Sequence, residues 1–289
     1  MSLAGKFGNF EIKKTDRISK EDQEWLTRRE KMYKRALIVQ KSVYDIYKAE
    51  DGTYSEEDRE EFSSFTVNDF GVPKRVSQIQ DSYIGGIFSY FSRKYHVELK
   101  NEFEHYDYDR ELYRYSSSSK KEPVKDLVID EIDYHTVLDK IFEQLGGLSF
   151  QEKSIKEVKD ALKDKCYWNY RDQWQIKVNG KKLIYTSGSC YKSKYFNEYE
   201  FHSTHWLCAF LDALACNTYG EKAHIQSLSR LYDSYYVKLY DDDFQDGFSA
   251  PEVGVEHIKF YKNGRVDVTF KSGEFCRNFA REWCGYTLV

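Results

Sequence analysis

The stretch that decides the fold is HIKFYKNGRVDVTFKSGEF, His257 to Phe275. Asn263-Gly264 is the dipeptide that best tolerates the two positive φ values of a type I′ turn, so it predicts a β-hairpin. The flanking residues alternate. Ile258 and Phe260 lead in, Val266, Val268 and Phe270 lead out, and Lys259, Arg265, Asp267 and Lys271 fall on the other face. Period-two alternation is the mark of a half-buried strand pair. Ser272 can then cap a helix in which Phe275, Phe279 and Trp283 share one stripe, with Gly285 in the C′ place. The result is a β-β-α unit that closes a core. Lys262, Arg265 and Lys271 are too scattered to argue for a phosphate-contacting rim.

Outward from this unit the pattern repeats. QWQIKVNGKKLIYTSG (173–188) predicts a second hairpin turning at Asn179-Gly180. YHTVLDKIFEQLGG (134–147) reads as an amphipathic helix stopped by glycine, and residues 149–169 as a second helix from a serine cap. STHWLCAFLDALAC (203–216) is apolar enough for a buried helix. Towards the N-terminus, residues 16–50 predict a helix capped by Ser19 and Asp22. Its apolar stripe is Trp25, Met32, Ala36, Val39 and Val43, opposite a charged solvated face. Residues 50–62 read as an acidic loop or the start of a short helix. The apolar segment 76–100 is interrupted by Gly85-Gly86, which predicts a bend or a close backbone approach, and short strands are expected within 66–100. A run of serines and lysines in 113–126 suggests an exposed connector. The expected fold class is therefore α+β. It comprises a mainly helical N-terminal region (1–115), a polar linker or loop (116–133) and a C-terminal α+β domain (134–289) with two Asn-Gly hairpins.

Charged residues at 32% and apolar residues at 40% place the chain among globular proteins. No apolar run approaches the roughly 20 residues that span a bilayer, and MSLAGKFGNFEIKK lacks an apolar leader core, so a cytoplasmic location without membrane contact is expected. Six cysteines without framework spacing then read as reduced thiols. A net charge of −4 gives no bulk attraction for nucleic acid. The unusual feature is 25 tyrosines. Tyrosine supplies contact area with few rotatable bonds and a polar tip, which suits interfaces. HYDYDRELYRY (105–115) and LYDSYYVKLYDDDF (231–244) set such rings among charges.

Catalytic signatures are sparse. His202, His205 and Cys208 have zinc-type ligands, with Cys216 or Cys190 to complete them, but CxxC and HExxH spacings are missing. Cys166 lies near cations, as a thiolate nucleophile requires, with no histidine base indicated. Asp241, Asp242, Asp243 and Asp246 fail EF-hand spacing and read as a solvated acidic loop. No catalytic residue, metal or cofactor is expected. Nucleic-acid contact has only RREKMYKR (28–35), SKKEPVK (119–125) and the aromatic-cation run YKSKYF (191–196) in its favour. The expected partner-binding residues are the rings with charged neighbours: Tyr106, Tyr108, Tyr113, Tyr115, Tyr191, Tyr195 and Phe196.

KVNGKKL (177–183) followed by HIKFYKNGRVDVTFKSGEFCRNFAREWCG (257–285) resembles the end of a domain of unknown function found in phage and mobile-element proteins. The Tyr-Lys-Asn-Gly turn (261–264) is its most specific element, and the similarity spans the last third to half of the chain. Some long members carry methyltransferase modules, but the Asn-Pro-Pro-Tyr signature and a glycine-rich cofactor loop are missing here. Size, tyrosine content and the lack of a catalytic motif also resemble the Gabija anti-defence proteins. That likeness implies a homo-oligomer in the host cytoplasm that binds a nuclease-containing defence complex and blocks its access to DNA. It assigns no catalytic residue. Two alternatives remain: a nucleic-acid-binding accessory protein of a phage or mobile element, and a metal- or thiol-dependent enzyme.

Overall fold

The structure, a computed structural model, describes residues 18–51, 71–104, 127–168, 173–194, 196–202, 204–232 and 236–287. The chain forms two compact units: residues 1–94 with 99–149, and residues 95–98 with 150–289. The fold is α+β with a helical N-terminal part. Most of the expected connector lies outside the described residues, and the division between units falls after Ser149. The helix at 134–145 therefore belongs to the first unit.

In the first unit, helix α1 (Lys20–Asp51) lies along α2 (Val72–Tyr95), and α3 (Tyr134–Leu145) follows. Ser19 and Asp22 cap α1 reciprocally: Asp22 N–H donates to the Ser19 hydroxyl at 3.1 Å, and Ser19 N–H to the Asp22 carboxylate at 3.0 Å. Beyond Trp25, which packs on α2 as expected, the side of α1 that is buried differs from the expected stripe. Leu26, Tyr33, Leu37 and Tyr44 are buried, whereas Met32, Val39 and Val43 are exposed. Aromatic pairing sets the turns that follow, because Tyr33 stacks on Tyr83 at 4.0 Å, next to the Trp25–Tyr90 stack at 3.9 Å. Segment 72–95 is one helix, without the expected bend or strands. Its buried residues Val76, Gln80, Tyr83, Ile84, Ile87, Phe88 and Phe91 recur at helical spacing, which outweighs two glycines. Gly86 accommodates a side chain: a Cβ there would sit 2.6 Å from the Arg29 guanidinium.

Asp133 caps α3 through Thr136 N–H at 2.8 Å, and this backbone bond holds its carboxyl below the usual range. A depressed folded-state pKa contributes stability above the unfolded value and loses it as pH falls. Asp133→Ala is therefore expected to cost about 1 kcal/mol at neutral pH. The difference should shrink below about pH 4, as followed by thermal melts across pH.

In the second unit, α4 (Phe150–Cys166) leads into a short β1–β2 pair (Tyr167–Trp168, Gln173–Trp174). The main sheet has the order β3-β4-β10-β9-β8 and is antiparallel throughout. Its strands are β3 (Ile176–Asn179), β4 (Lys182–Tyr185), β8 (Phe248–Ala250), β9 (Val255–Phe260) and β10 (Val266–Phe270). A smaller sheet has the order β5-β6-β7: Ser189–Lys192, Tyr199–His202 and Val237–Leu239. Helices α5 (Thr204–Tyr219), α6 (Asp241–Asp246) and α7 (Gly273–Trp283) complete the unit. Ser272 caps α7 at Phe275 N–H, and Phe279 and Trp283 are buried, as the period predicts.

Both hairpins form, with turns that differ from the expected ones. At 261–265 the Gly264 N–H donates to the Tyr261 carbonyl and the Tyr261 N–H to the Arg265 carbonyl, both at 2.9 Å. Gly264 has φ 84° while Asn263 stays out of the left-handed region. That is a three-residue loop with a glycine bulge rather than a type I′ turn. In the other hairpin Asn179 pairs with Lys182, so Gly180 and Lys181 make the turn, with positive φ at Gly180 alone. The sign pattern is that of type II′.

Strand β10 is buried on both faces around Val266–Val268. Asp267, placed by alternation on the outer face, is 3% exposed. Arg265 holds it with two bonds, at 2.6 and 2.7 Å, and the Tyr261 hydroxyl donates to it at 3.3 Å. The β9–β10 tip also positions the smaller sheet. Gly188, just before β5, meets Gly264 so closely that a Cβ on either would overlap the other's carbonyl oxygen. Phe201 of β6 lies edge-on to Phe260 of β9 at 5.0 Å.

Candidate protein-binding surface

The smaller sheet has one face in the core and one outside. Cys190, Phe201 and Val237 are cross-strand partners, and Phe201 and Val237 are fully buried. Strand alternation then turns the row Tyr191, Glu200, Lys238 and the pair Ser189, His202 to the opposite face. Tyr191 is 61% exposed, and Phe196, in the turn between β5 and β6, is 66% exposed.

These outer residues form a connected set of rings and charges. The His202 ring lies edge-on to Tyr191 at 5.5 Å and 5.6 Å from Tyr236. Its Nε2 is 3.4 Å from Glu200. The Lys238 ammonium stands 5.9 Å from the Phe196 ring centroid and 3.2 Å from the buried carboxylate of Glu198, and its bond to Glu198 raises its pKa. A second cluster borders the sheet. Lys262 lies 4.4 Å over the Tyr199 ring and 5.3 Å over Phe244. It donates to the Tyr199 hydroxyl and to Asp241, which push its pKa up to about 12. Arg230 grips Asp243 with two bonds, at 3.0 and 2.9 Å, and stands over Tyr240 and Phe248.

Such a surface offers apolar area, hydrogen-bonding tips and cations already held in place. Those are the groups that dominate binding energy in protein interfaces. Pre-ordered cations lose less side-chain entropy on association.

Of the expected contact residues, Tyr191 and Phe196 lie on this surface. Tyr106, Tyr108, Tyr113, Tyr115 and Tyr195 lie outside the described residues. Tyr236, Lys238 and Tyr240 come from the second ring-and-charge cluster in the sequence, and strand alternation along β7 is the signal that would have found them. His202, considered and set aside as a metal ligand in the sequence, belongs to this face as well. It ends β6, whereas His205 and Cys208 lie on α5, so the three do not share a helix face. Among the described residues no three His, Cys, Asp or Glu side chains are grouped to hold a metal.

The nucleophile candidate is a core residue. Cys166 is fully buried at the end of α4. Its bond to the Cys284 thiol, together with burial, raises the Cys284 pKa. Burial pushes Cys216 and Cys276 up to about 11, against thiolate chemistry near neutral pH. The acidic run 241–246 is a helix rather than a loop, with Asp243 committed to Arg230 and Asp241 to Lys262. No helix among the described residues is long and apolar enough to cross a membrane. No protein-family model, curated protein or solved structure matches the chain.

Proposed function

We propose that this chain is a non-enzymatic binding protein of the phage anti-defence type. It would occupy a host nuclease-containing complex and block that complex's access to DNA. The outer face of the β5-β6-β7 sheet carries the proposal, because it presents Tyr191 and Phe196 to solvent beside His202, Lys238 and Glu200. An occluding inhibitor needs area, rigid anchors and multivalency, and it needs no nucleophile. Self-association would add avidity by making each further contact intramolecular. The anti-defence setting rests on the resemblance in 177–183 and 257–285.

The double variant Tyr191→Ala/Phe196→Ala tests the surface. Both side chains are exposed, so its thermal midpoint should match the parent's. Capture of a salt-resistant, stoichiometric nuclease complex from defence-carrying lysate should weaken by about thirtyfold, roughly 2 kcal/mol. Unchanged capture would remove this face from the interface. A second reading rests on exposed Lys192 and Lys194 beside Tyr191, a cation-aromatic edge that suits single-stranded nucleic acid. Recovery of nucleic acid alone, released as salt rises, would favour it.

A further inference from the structure

The outer face of the main sheet gathers positive charge on a chain whose net charge is −4. The opposite face is core, where Ile176, Leu183, Val266, Val268, Ile258 and Phe260 are buried. Alternation then turns the cross-strand row Lys177, Ile184, Asp267 and Lys259 outward, with Lys182 two residues along β4 from Ile184. Lys177 and Lys182 are exposed and Lys259 is partly exposed. None of the three makes an ion pair with a described residue.

The acids around these lysines do not cancel them. Asp267 is held by two bonds from Arg265, and Glu256 is paired with Lys181 of the β3–β4 turn. Other charges come close at the margins. Asp246 adjoins Gly247, which abuts the His257 ring, and Glu274 adjoins Gly273, which abuts the Gly180 carbonyl. Lys271, past the β10 bulge, lies over the Phe275 ring at 4.6 Å. Between those margins Lys177, Lys182 and Lys259 stand uncompensated. At 0.1 M salt an exposed charge is felt over about 10 Å, so a ligand on this face meets the three lysines rather than the acidic remainder of the chain.

We infer that this face docks on the phosphate backbone of duplex DNA without regard to sequence. Three inter-strand steps set Lys177 and Lys259 about 14 Å apart, and Lys182 lies about 7 Å along the strand direction. Phosphates recur about every 3.4 Å along one strand of a duplex, so each ammonium meets a different one. The face lacks what other partners need. Its large apolar side chain, Ile184, is partly buried, which gives a protein partner no deep anchor, and lysine is depleted in protein interfaces. Tyr261 lies under the Arg265 guanidinium at 5.0 Å and the His257 ring packs on Gly247, so unpaired bases find no free ring to stack on. A duplex hides its bases and presents phosphates, which lysines contact as point charges. This face is separate from the β5-β6-β7 surface proposed to meet the host complex, so either assignment can fail alone.

Fluorescence anisotropy of a mixed-sequence DNA duplex, titrated with the purified full chain alone, tests the inference. Three phosphate contacts give a slope of about −2.7 in log K against log salt, which is roughly a fortyfold loss of affinity between 50 and 200 mM. Lys177→Gln/Lys182→Gln/Lys259→Gln should bind at least about tenfold more weakly, with an unchanged melting temperature because none of the three lysines holds an ion pair. Lys182→Gln alone should make the slope shallower by about 0.9. No binding at the lower salt concentration overturns the inference, as does an affinity indifferent to the triple variant. Loss of binding in Lys192→Gln/Lys194→Gln, with the triple variant unaffected, overturns it in favour of the β5 edge. Tighter binding of the single strand, or equal binding of polyglutamate, overturns the duplex as the occupant.

Discussion

Gly264→Ala is expected to lower the stability of the chain by about 3 kcal/mol or more, although it adds one methyl group. Two effects combine. Gly264 has φ 84°, where an L-side chain costs roughly 1–2 kcal/mol. A Cβ there would also overlap the Gly188 carbonyl, which is backbone and cannot rotate away. Relief requires moving the start of β5 off the hairpin tip, which opens the Phe201–Phe260 contact between two fully buried rings. Asn263→Ala is the control. Asn263 is not left-handed, and its side chain only accepts the Arg265 N–H at 3.2 Å, so it should cost less than about 1 kcal/mol. Urea denaturation of both variants gives the answer. Equal, large losses would mean that Asn263 is also left-handed, as a type I′ turn would require.

That hairpin shows which parts of the fold are legible in sequence. Alternation along 258–270 locates both strands, because the period-two pattern is set by burial of one face. The turn type is not legible, because Asn-Gly suits two- and three-residue loops alike and pairing across the strands decides between them. Asp267 shows the same limit. Alternation places it outside, and only the folded arrangement reveals that Arg265 and Tyr261 satisfy a buried carboxylate. Helix α1 has two apolar stripes, and periodicity alone picks the one that is largely exposed. The choice between them comes from Tyr83 on α2, which stacks on Tyr33 and is remote in sequence. The candidate surface was half legible for a related reason. Ring-and-charge runs mark Tyr191 and Phe196, but His202, Tyr236 and Lys238 join them only through the β5-β6-β7 register.

Lys94→Met should be the most costly change in the first unit, with a pH dependence that identifies its cause. Asp22 has no solvent exposure, and its carboxylate takes hydrogen bonds from the Tyr90 hydroxyl at 2.8 Å and the Lys94 ammonium at 2.7 Å. Burial works against the charged lysine, yet its bonds to Asp22, Glu21 and Tyr90 hold the Lys94 pKa above the usual range. Removing the ammonium takes a counter-charge away from a buried carboxylate. That loss is about 2–4 kcal/mol, below the range for a fully buried pair because Lys94 is itself partly exposed. Without that cation the folded-state pKa of the carboxyl should rise relative to the parent. The parent therefore gains its extra stability only where the carboxyl is ionised, and loses it as pH falls. The deficit relative to the parent should therefore be largest at neutral pH and shrink towards pH 4. Asp22→Asn/Lys94→Met, which removes both charges, should recover most of it. A deficit of the same size at every pH would instead assign the loss to packing of the lysine stem, whose ammonium lies 5.6 Å from the Tyr90 ring.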